Sequence, residues 1–135
     1  MRLAPAQKRS GFTLIELVIV VLVLGIIAAI AAPKIFDVTN DARENGTRQS
    51  LTTMRNALEL YRVQNGFYPA ASGIESALQP MLQGGRIPAP QVGQTAGDNS
   101  IRSFSGTFTA TNAGGWAYDQ GTGELHIDDA SYGNW

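Results

Sequence analysis

A single carboxylate lies in a stretch of sequence that is otherwise suited to an apolar environment. Residues 12–32 are apolar except for Thr13 and Glu16. An ionised carboxylate near the middle of a bilayer costs roughly 2.5–3.5 kcal/mol on insertion scales, and less near the interface. An acid in such a segment therefore indicates a functional site, and it requires a partner group.

The length of this apolar stretch suits a membrane-crossing helix. About 21 residues in a helix span about 30 Å, which is the thickness of a hydrocarbon core. The preceding residues carry Arg2, Lys8 and Arg9, which the positive-inside rule places on the cytoplasmic side. We expect the rest of the chain to lie on the other side of that membrane.

A small residue that could mark a cleavage site precedes the apolar stretch. An ordinary secretory signal is cut after its apolar region, which is then discarded. Here Gly11 stands before that region, so cleavage after Gly11 would remove the charged residues and keep the helix. The alternative from hydropathy alone is an uncleaved signal anchor, and Glu16 favours the first interpretation.

The residues around this point resemble the prepilin processing motif of type IV pilins and type II secretion pseudopilins. In this chain the motif reads Gly11-Phe12-Thr13-Leu14-Ile15-Glu16. The resemblance implies that a membrane aspartyl peptidase, the prepilin peptidase, cuts between Gly11 and Phe12 and methylates the new amino group of Phe12. It also implies that Glu16 guides the assembly of identical copies into a helical filament.

Cleavage would place two opposite charges at the start of the helix. A free α-amino group on Phe12 is mostly cationic near neutral pH. It could meet Glu16 four residues further on in the same helix, or Glu16 of a neighbouring copy. Such a pair sets register more reliably than it adds stability, because both charges lose hydration. In the alternative interpretation, Glu16 reaches the lipid headgroups and has little role.

The apolar stretch continues into an amphipathic helix. The spacing predicts one helix over residues 12–64, stopped by the Asn-Gly pair that follows. Gly25 and Pro33 weaken it. The resemblance implies a hinge between them, and a kink without a role is the alternative. The predicted apolar stripe of the second half comprises Ile35, Val38, Ala42, Leu51, Met54, Leu58 and Tyr61.

The remaining residues predict a small head. Strand signatures lie at residues 103–110, 115–118 and 124–127, and the last two form a hairpin. The predicted fold class is α+β, with a long N-terminal helix, first transmembrane and then amphipathic, packed on a small antiparallel sheet of about three strands. The predicted organisation is a cleaved leader (1–11), a transmembrane and assembly helix (12–33), its amphipathic continuation (34–65) and a globular head (66–135).

Composition excludes several classes of site. The 135-residue chain has a net charge of −1 and no cysteine. It therefore lacks the charge of a nucleic-acid-binding protein and can form neither a disulfide nor a Cys-ligated zinc site. It has one histidine, His126, and no nucleophile elbow or phosphate-binding loop. We predict no catalytic residue, no enzyme activity, and a packing or surface role for His126.

The head resembles that of the major pseudopilin of type II secretion. Tyr68-Pro69 followed by Gly73-Ile74 predicts an extended turn and a short helix, as in that class. The hairpin at residues 116–124 is also similar. The lack of a cysteine pair agrees with the major pseudopilin better than with many type IV pilins.

Three acids of the head are candidate calcium ligands. The resemblance implies calcium in a loop near the C-terminus, and Asp119, Asp128 and Asp129 have oxygen donors of the right kind. No spaced calcium-loop motif is present, so the alternative is that these acids are solvated. No other cofactor is predicted.

The resemblance implies a structural subunit of a type II secretion pseudopilus that polymerises through its N-terminal helix to drive protein export. The subunit would be inserted in the bacterial inner membrane with its head in the periplasm. Its implied partners are further copies of itself, the prepilin peptidase, other pseudopilins, the secretion platform and membrane lipid. The alternative in the same class is a type IV pilus subunit for adhesion, motility or DNA uptake. An alternative of another class is an uncleaved, signal-anchored periplasmic binding module.

Overall fold

The computed structural model describes residues 11–135. The predicted leader lies outside the described residues, with its charges Arg2, Lys8 and Arg9. The chain has two compact units, one that ends at Thr39 and one from Asn40 to Trp135. A 52-residue helix, α1 (Leu14–Asn65), contributes its first part to the first unit and the rest to the second.

The described part of the first unit is mostly an exposed, largely apolar helix. From Gly11 to Thr39 every described side chain is exposed, including all the large apolar ones. Among the described residues, α1 is the one helix whose length and composition suit a membrane crossing, with a mean hydropathy of 3.1 in its apolar window. The first part of α1 is thus an apolar segment of membrane length.

Gly25 and Pro33 both lie inside α1. A proline in a helix interior removes one backbone donor and crowds the preceding turn. A Cβ at Gly25 would have no neighbour within 4 Å among the described atoms, so no packing contact there requires glycine. The hinge between these two residues stays a prediction.

The second part of α1 buries one face in the head. Leu51, Met54 and Leu58 recur at spacings of three and four and are almost completely buried. Because a fully buried aliphatic side chain contributes about 1.5–3 kcal/mol, this stripe is a main attachment of the helix to the head. Ile35, Val38 and Ala42 of the predicted stripe are instead exposed, so the buried stripe begins later in the helix than predicted.

The helix ends at the predicted stop, and short helical turns follow. The amide of Gly66, at a φ of +83°, donates to the carbonyl of Arg62 at 2.7 Å and closes the last turn. Single 3₁₀ turns at Ala71–Gly73 and Gln79–Met81 flank a short helix, α2 (Ile74–Leu78), which buries both of its end residues. The short helix predicted near the start of the head is therefore confirmed.

The sheet has three short strands, β1 (Ile101–Ser103), β2 (Trp116–Tyr118) and β3 (Leu125–Ile127), in that order. β2 and β3 form the predicted antiparallel hairpin, with Trp116 paired to Ile127. β1 runs parallel to β2. The α+β class and the number of strands are confirmed, but the sheet is mixed rather than wholly antiparallel.

The prediction of a strand over residues 103–110 is wrong beyond its first residue. Residues 104–110 form an irregular loop, with Gly106 at a φ of +79°. In this loop the rings of Phe104 and Phe108 pack against each other, with centroids 5.4 Å apart, and both pack against the ring of His126. The polar residues between them lie outside this cluster of rings. The alternation thus reflects one packed side of a loop and not a strand.

Two aromatic residues of β2 anchor the core. Trp116 and Tyr118 are completely buried. Trp116 Nε1 donates to the carbonyl of Pro88 at 2.7 Å, and the Tyr118 hydroxyl donates to the carbonyl of Pro69 at 2.9 Å. Burial raises the pKa of Tyr118, which keeps its hydroxyl a donor. Both bonds fix loops from earlier in the chain to the centre of the sheet.

The β2–β3 hairpin depends on Gly123. Its φ is +80°, and a Cβ there would overlap the ring of Tyr68. We expect Gly123→Ala to lower the thermal unfolding midpoint strongly, because a steric clash adds to a left-handed strain of about 1–2 kcal/mol. Circular dichroism of the full chain in detergent measures this. Gly66→Ala is the control, since its φ is +83° with open space around a Cβ. Equal midpoints for the two variants would contradict the clash with Tyr68.

Candidate functional site

Thr13 and Glu16 form a reciprocal pair at the start of α1. Thr13 directly precedes the helix, and its amide and hydroxyl both donate to Oε2 of Glu16, each at 2.8 Å. In return, the amide of Glu16 donates to the Thr13 hydroxyl oxygen at 3.3 Å. This arrangement is a capping box, which satisfies backbone donors that a helix N-terminus leaves open.

The capping box gives the Glu16 carboxylate partners within its own turn. Unpaired polar groups are costly in lipid, so Thr13 and Glu16 each reduce the cost of the other. Both bonds from Thr13 go to Oε2 of Glu16. The other carboxylate oxygen, Oε1, accepts no hydrogen bond from the described residues. The sequence analysis identified Glu16 but missed Thr13, although Thr-x-x-Glu before an apolar run is the sequence signature of this cap.

The predicted cleavage point precedes the helix. Gly11 and Phe12 lie outside regular secondary structure, and Phe12 is 84% exposed. A Cβ at Gly11 would have no neighbour within 4 Å among the described atoms. Proteases cut exposed segments without regular structure, and the Gly11–Phe12 bond lies in such a segment. Cleavage and methylation themselves stay predictions.

The most enclosed charge of the head is the Asp128 carboxylate. It is completely buried immediately after β3. Arg102, on β1, donates to it through Nε at 3.0 Å and Nη2 at 2.9 Å. The amide and hydroxyl of Thr111 and the amide of Ala113 add three donors at 2.8, 2.9 and 3.1 Å. No local sequence pattern links Arg102 to Asp128, so the sequence analysis missed Arg102.

These donors determine the charge state of Asp128. Burial alone would raise the pKa of Asp128, but hydrogen bonds from Arg102, then Thr111 and Ala113, outweigh burial and hold it well below its usual range. The hydrogen bond to Asp128 in turn raises the pKa of Arg102. The folded head therefore holds Asp128 as an anion paired with a guanidinium.

The other two predicted ligands contact different parts of the head. Asp129 accepts the amides of Gln94 and Ser131 at 2.7 and 2.8 Å. Asp119 accepts an amide of its own hairpin turn at 2.7 Å. Asp128 and Asp129 thus accept hydrogen bonds from different loops, as expected of adjacent residues whose side chains leave a strand on opposite sides.

These contacts bear on the predicted calcium site. Calcium binds six to eight oxygen acceptors, whereas the groups around Asp128 are donors and one of them is a guanidinium. Within residues 11–135 no three acids or histidines are gathered as metal ligands. Asp128 does not fit a calcium ligand in this arrangement, and Asp119 and Asp129 make separate contacts instead of gathering with it.

His126 and the last residues of the chain make packing contacts. His126 stacks on Phe108 with ring centroids 4.3 Å apart, and its Nδ1 lies 2.9 Å from the carbonyl oxygen of Gly133. The Arg48 guanidinium lies over the Trp135 ring, 3.6 Å from its centroid. These contacts match the predicted packing role of His126 and attach residues 131–135 to α1.

Comparison with known proteins points to one family. Residues 6–32 match the family described as the prokaryotic N-terminal methylation motif. Over 107 residues the chain is 32% identical to the type IV narrow pilus major component of Thermus thermophilus, covering 79% of this chain and 82% of that protein. Over 74 residues it is 32% identical to the type II secretion system core protein G of Pseudomonas aeruginosa and 29% identical to that of Escherichia coli.

The similarity differs in extent between these relatives. The two core proteins G are matched over 54% of this chain and over 52% and 51% of their own lengths, so the chain spans about half of each. No solved structure matches the chain. The pilus component is matched over most of its length, and the methylation motif covers Gly11, Phe12 and Glu16. The chain belongs to the family of type IV pilins and type II secretion pseudopilins.

Proposed function

We propose that the chain is a structural subunit of a type II secretion pseudopilus, cleaved between Gly11 and Phe12. Its helix is anchored in the inner membrane, its head lies in the periplasm, and its copies polymerise to drive protein export. The observation that carries the proposal is an accessible Gly11–Phe12 bond directly before a capped helix whose first part, up to Thr39, is mostly apolar and exposed. Several relatives named type II secretion system core protein G support the choice of a pseudopilus.

The exposed apolar helix accounts for both membrane anchoring and assembly. From Gly11 to Thr39 no described side chain is buried within the chain. A helix that is apolar all round is stable only when lipid or other helices cover it. In the proposed function, α1 exchanges lipid for the helices of neighbouring copies when the subunit enters the filament.

Glu16 sets the register between copies. Cleavage creates an α-amino group on Phe12, which is mostly cationic near neutral pH. Because the cap from Thr13 uses Oε2 of Glu16, the amine of an incoming copy can pair with Oε1 while the helix start stays capped. A wrong register leaves two charges unpaired in an apolar environment, which is strongly unfavourable.

The head has a structural role in this proposal and no catalytic one. The family consists of pilus and secretion components. The enclosed carboxylates of Asp128 and Asp129 are bonded to protein donors. These bonds give the two acids a role in holding loops together.

A second candidate function is that of a type IV pilus subunit, serving adhesion, motility or DNA uptake. The observation in its favour is the match to the narrow pilus component of Thermus thermophilus, which covers most of both chains. The proposed cleavage and the role of Glu16 are the same in both candidates. They differ in whether the filament reaches the cell surface.

Cleavage by a prepilin peptidase distinguishes a filament subunit from a protein held in the membrane by an uncleaved signal anchor. When the full chain is co-expressed with a prepilin peptidase, we expect the intact mass to fall by that of residues 1–11 and to rise by one methyl group. Cells without the peptidase are the control and should retain the full mass. An unchanged mass in the presence of an active peptidase would instead favour the signal-anchored binding module.

Substitutions at the helix start separate the cap from the charge. Thr13→Val removes the hydroxyl bonds of the cap but leaves the backbone amide of residue 13 as a donor to Glu16. Loss of an N-cap hydroxyl costs about 1 kcal/mol, so we expect about fivefold less filament. Thr13→Ser keeps the hydroxyl and should assemble like the unchanged chain. Glu16→Gln keeps an acceptor for the cap but loses the charge, and Glu16→Ala loses both. We expect both Glu16 variants to be processed normally and to assemble poorly.

The readout for these four variants is the amount of sedimentable, cross-linkable filament relative to processed subunit. Dividing by processed subunit removes any effect on the peptidase. Wild-type amounts of filament from Glu16→Ala would refute the role of Glu16 in assembly. Equal assembly by Thr13→Val and Thr13→Ser would show that the hydroxyl bonds of the cap are dispensable.

Deletion of the protein distinguishes the two kinds of filament. If the chain builds a pseudopilus, its loss stops the export of a secreted protein and leaves surface fibres in place. If the chain builds a pilus, fibres disappear from electron micrographs and export continues. A plasmid copy of the unchanged chain should restore the lost property, and the Glu16→Ala copy should not.

A further inference from the structure

We propose that the Arg102 guanidinium is the structural cation of this head, and that the head folds and holds its loops without calcium. The inference concerns the head alone and does not depend on which filament the chain builds. It starts from the Asp128 carboxylate, which is completely buried and has five donors within hydrogen-bond distance.

Both oxygens of Asp128 are fully used. Oδ1 accepts from Arg102 Nη2 and from the amide of Thr111. Oδ2 accepts from Arg102 Nε, from the Thr111 hydroxyl and from the amide of Ala113. A carboxylate oxygen has about two lone-pair positions, so within the described residues neither oxygen retains room for a metal ion.

The backbone around Asp128 is shaped for an anion. Asn112 has a φ of 55°, which makes it the one non-glycine residue of the described chain with a positive φ. This turn points the amides of its two neighbours, Thr111 and Ala113, at the same carboxylate. Converging amides of this kind form an anion-binding concavity, and they repel a cation.

Arg102 joins three separate segments through these bonds. It lies on β1 and reaches across the sheet to Asp128, which follows β3. Its Nη2 also donates to the carbonyl of Thr109 at 2.9 Å. The guanidinium therefore holds the sheet, the loop over residues 104–113 and the segment after β3 together, which is the task that a bound ion or a disulfide performs in other small domains.

Asp129 reinforces the arrangement from the next position. Its two oxygens accept the amides of Gln94 and Ser131. A Cβ at Gly93 would overlap this carboxylate, so the loop approaches Asp129 as closely as only glycine allows. Like Asp128, Asp129 is bonded to donors rather than surrounded by other acceptors.

The first test uses the unchanged full chain in detergent. We expect its thermal unfolding midpoint, followed by near-ultraviolet circular dichroism of Trp116 and Tyr118, to be the same in EGTA and in excess CaCl₂ at equal ionic strength. Isothermal titration with CaCl₂ should give no heat beyond dilution. A rise of several degrees with calcium, or a saturable binding heat, would overturn the proposal, because a ligand of the native state must stabilise it.

The second test removes the guanidinium. The Arg102 side chain is 24% exposed and that of Asp128 is completely buried, so losing the guanidinium leaves a buried carboxylate without its cation. Such a loss is strongly destabilising, and we expect Arg102→Met to lower the midpoint by about 10 °C or more, with or without calcium. Arg102→Lys keeps the charge but cannot make the two parallel bonds to Asp128, so its midpoint should lie between those of Arg102→Met and the unchanged chain. Arg86→Met is the matched control, because Arg86 is exposed and makes no ion pair within the described residues.

Two outcomes decide this second test. An Arg102→Met head that unfolds within a degree or two of the unchanged chain would refute the structural role of the guanidinium. If Arg102→Met fails to fold while Arg86→Met folds normally, the role is supported, because only the charge paired with Asp128 is then indispensable. Restoration of the Arg102→Met midpoint by calcium alone would also contradict the proposal, since the donors around Asp128 should still exclude a cation.

Discussion

A single helix, α1, has to satisfy two different surroundings along its length. Up to Thr39 its described side chains are all exposed and mostly apolar, so this part requires lipid or other helices around it. From Thr47 onward a stripe of the same helix is buried among residues of the head. One continuous helix therefore provides both an apolar segment that needs other apolar groups around it and a surface against which the small head packs.

Each unit contains a carboxylate in surroundings where an unpaired charge is costly, Glu16 in the first and Asp128 in the second. The two differ in where their hydrogen-bond donors come from and in how many of their oxygens are bonded. Glu16 takes its partner from its own first turn and keeps one oxygen without a hydrogen bond in the described chain. Asp128 takes its partners from a strand and a distant loop, and both of its oxygens are occupied. Glu16 thus retains an oxygen for a further contact, whereas Asp128 forms a closed structural centre.

The three strands show which parts of the sheet a local sequence pattern can predict and which parts it cannot. The β2–β3 hairpin was predictable because its strands are close in sequence and alternate around a glycine-containing turn. β1 pairs with β2 in parallel across a long loop, and such a pairing has no signature within either strand. Phe104 and Phe108 imitate a strand because an irregular loop can also present every second or fourth side chain to one packing surface.

The sequence by itself determined the features whose physical cause is local. Periodicity predicts α1, composition predicts an apolar segment of membrane length, and residue identity predicts the processing motif. The cap at Thr13 and Glu16 also has a local cause and a local signature, although it was recognised only in the structure. Only the tertiary structure decided what the acids of the head do. Asp128 and Asp129 look alike as neighbours in the sequence, but the folded chain gives Asp128 the guanidinium of Arg102, 26 positions away, and Asp129 the amide of Gln94, 35 positions away. Periodicity carries no information about such distant donors, so their contacts follow only from the folded chain.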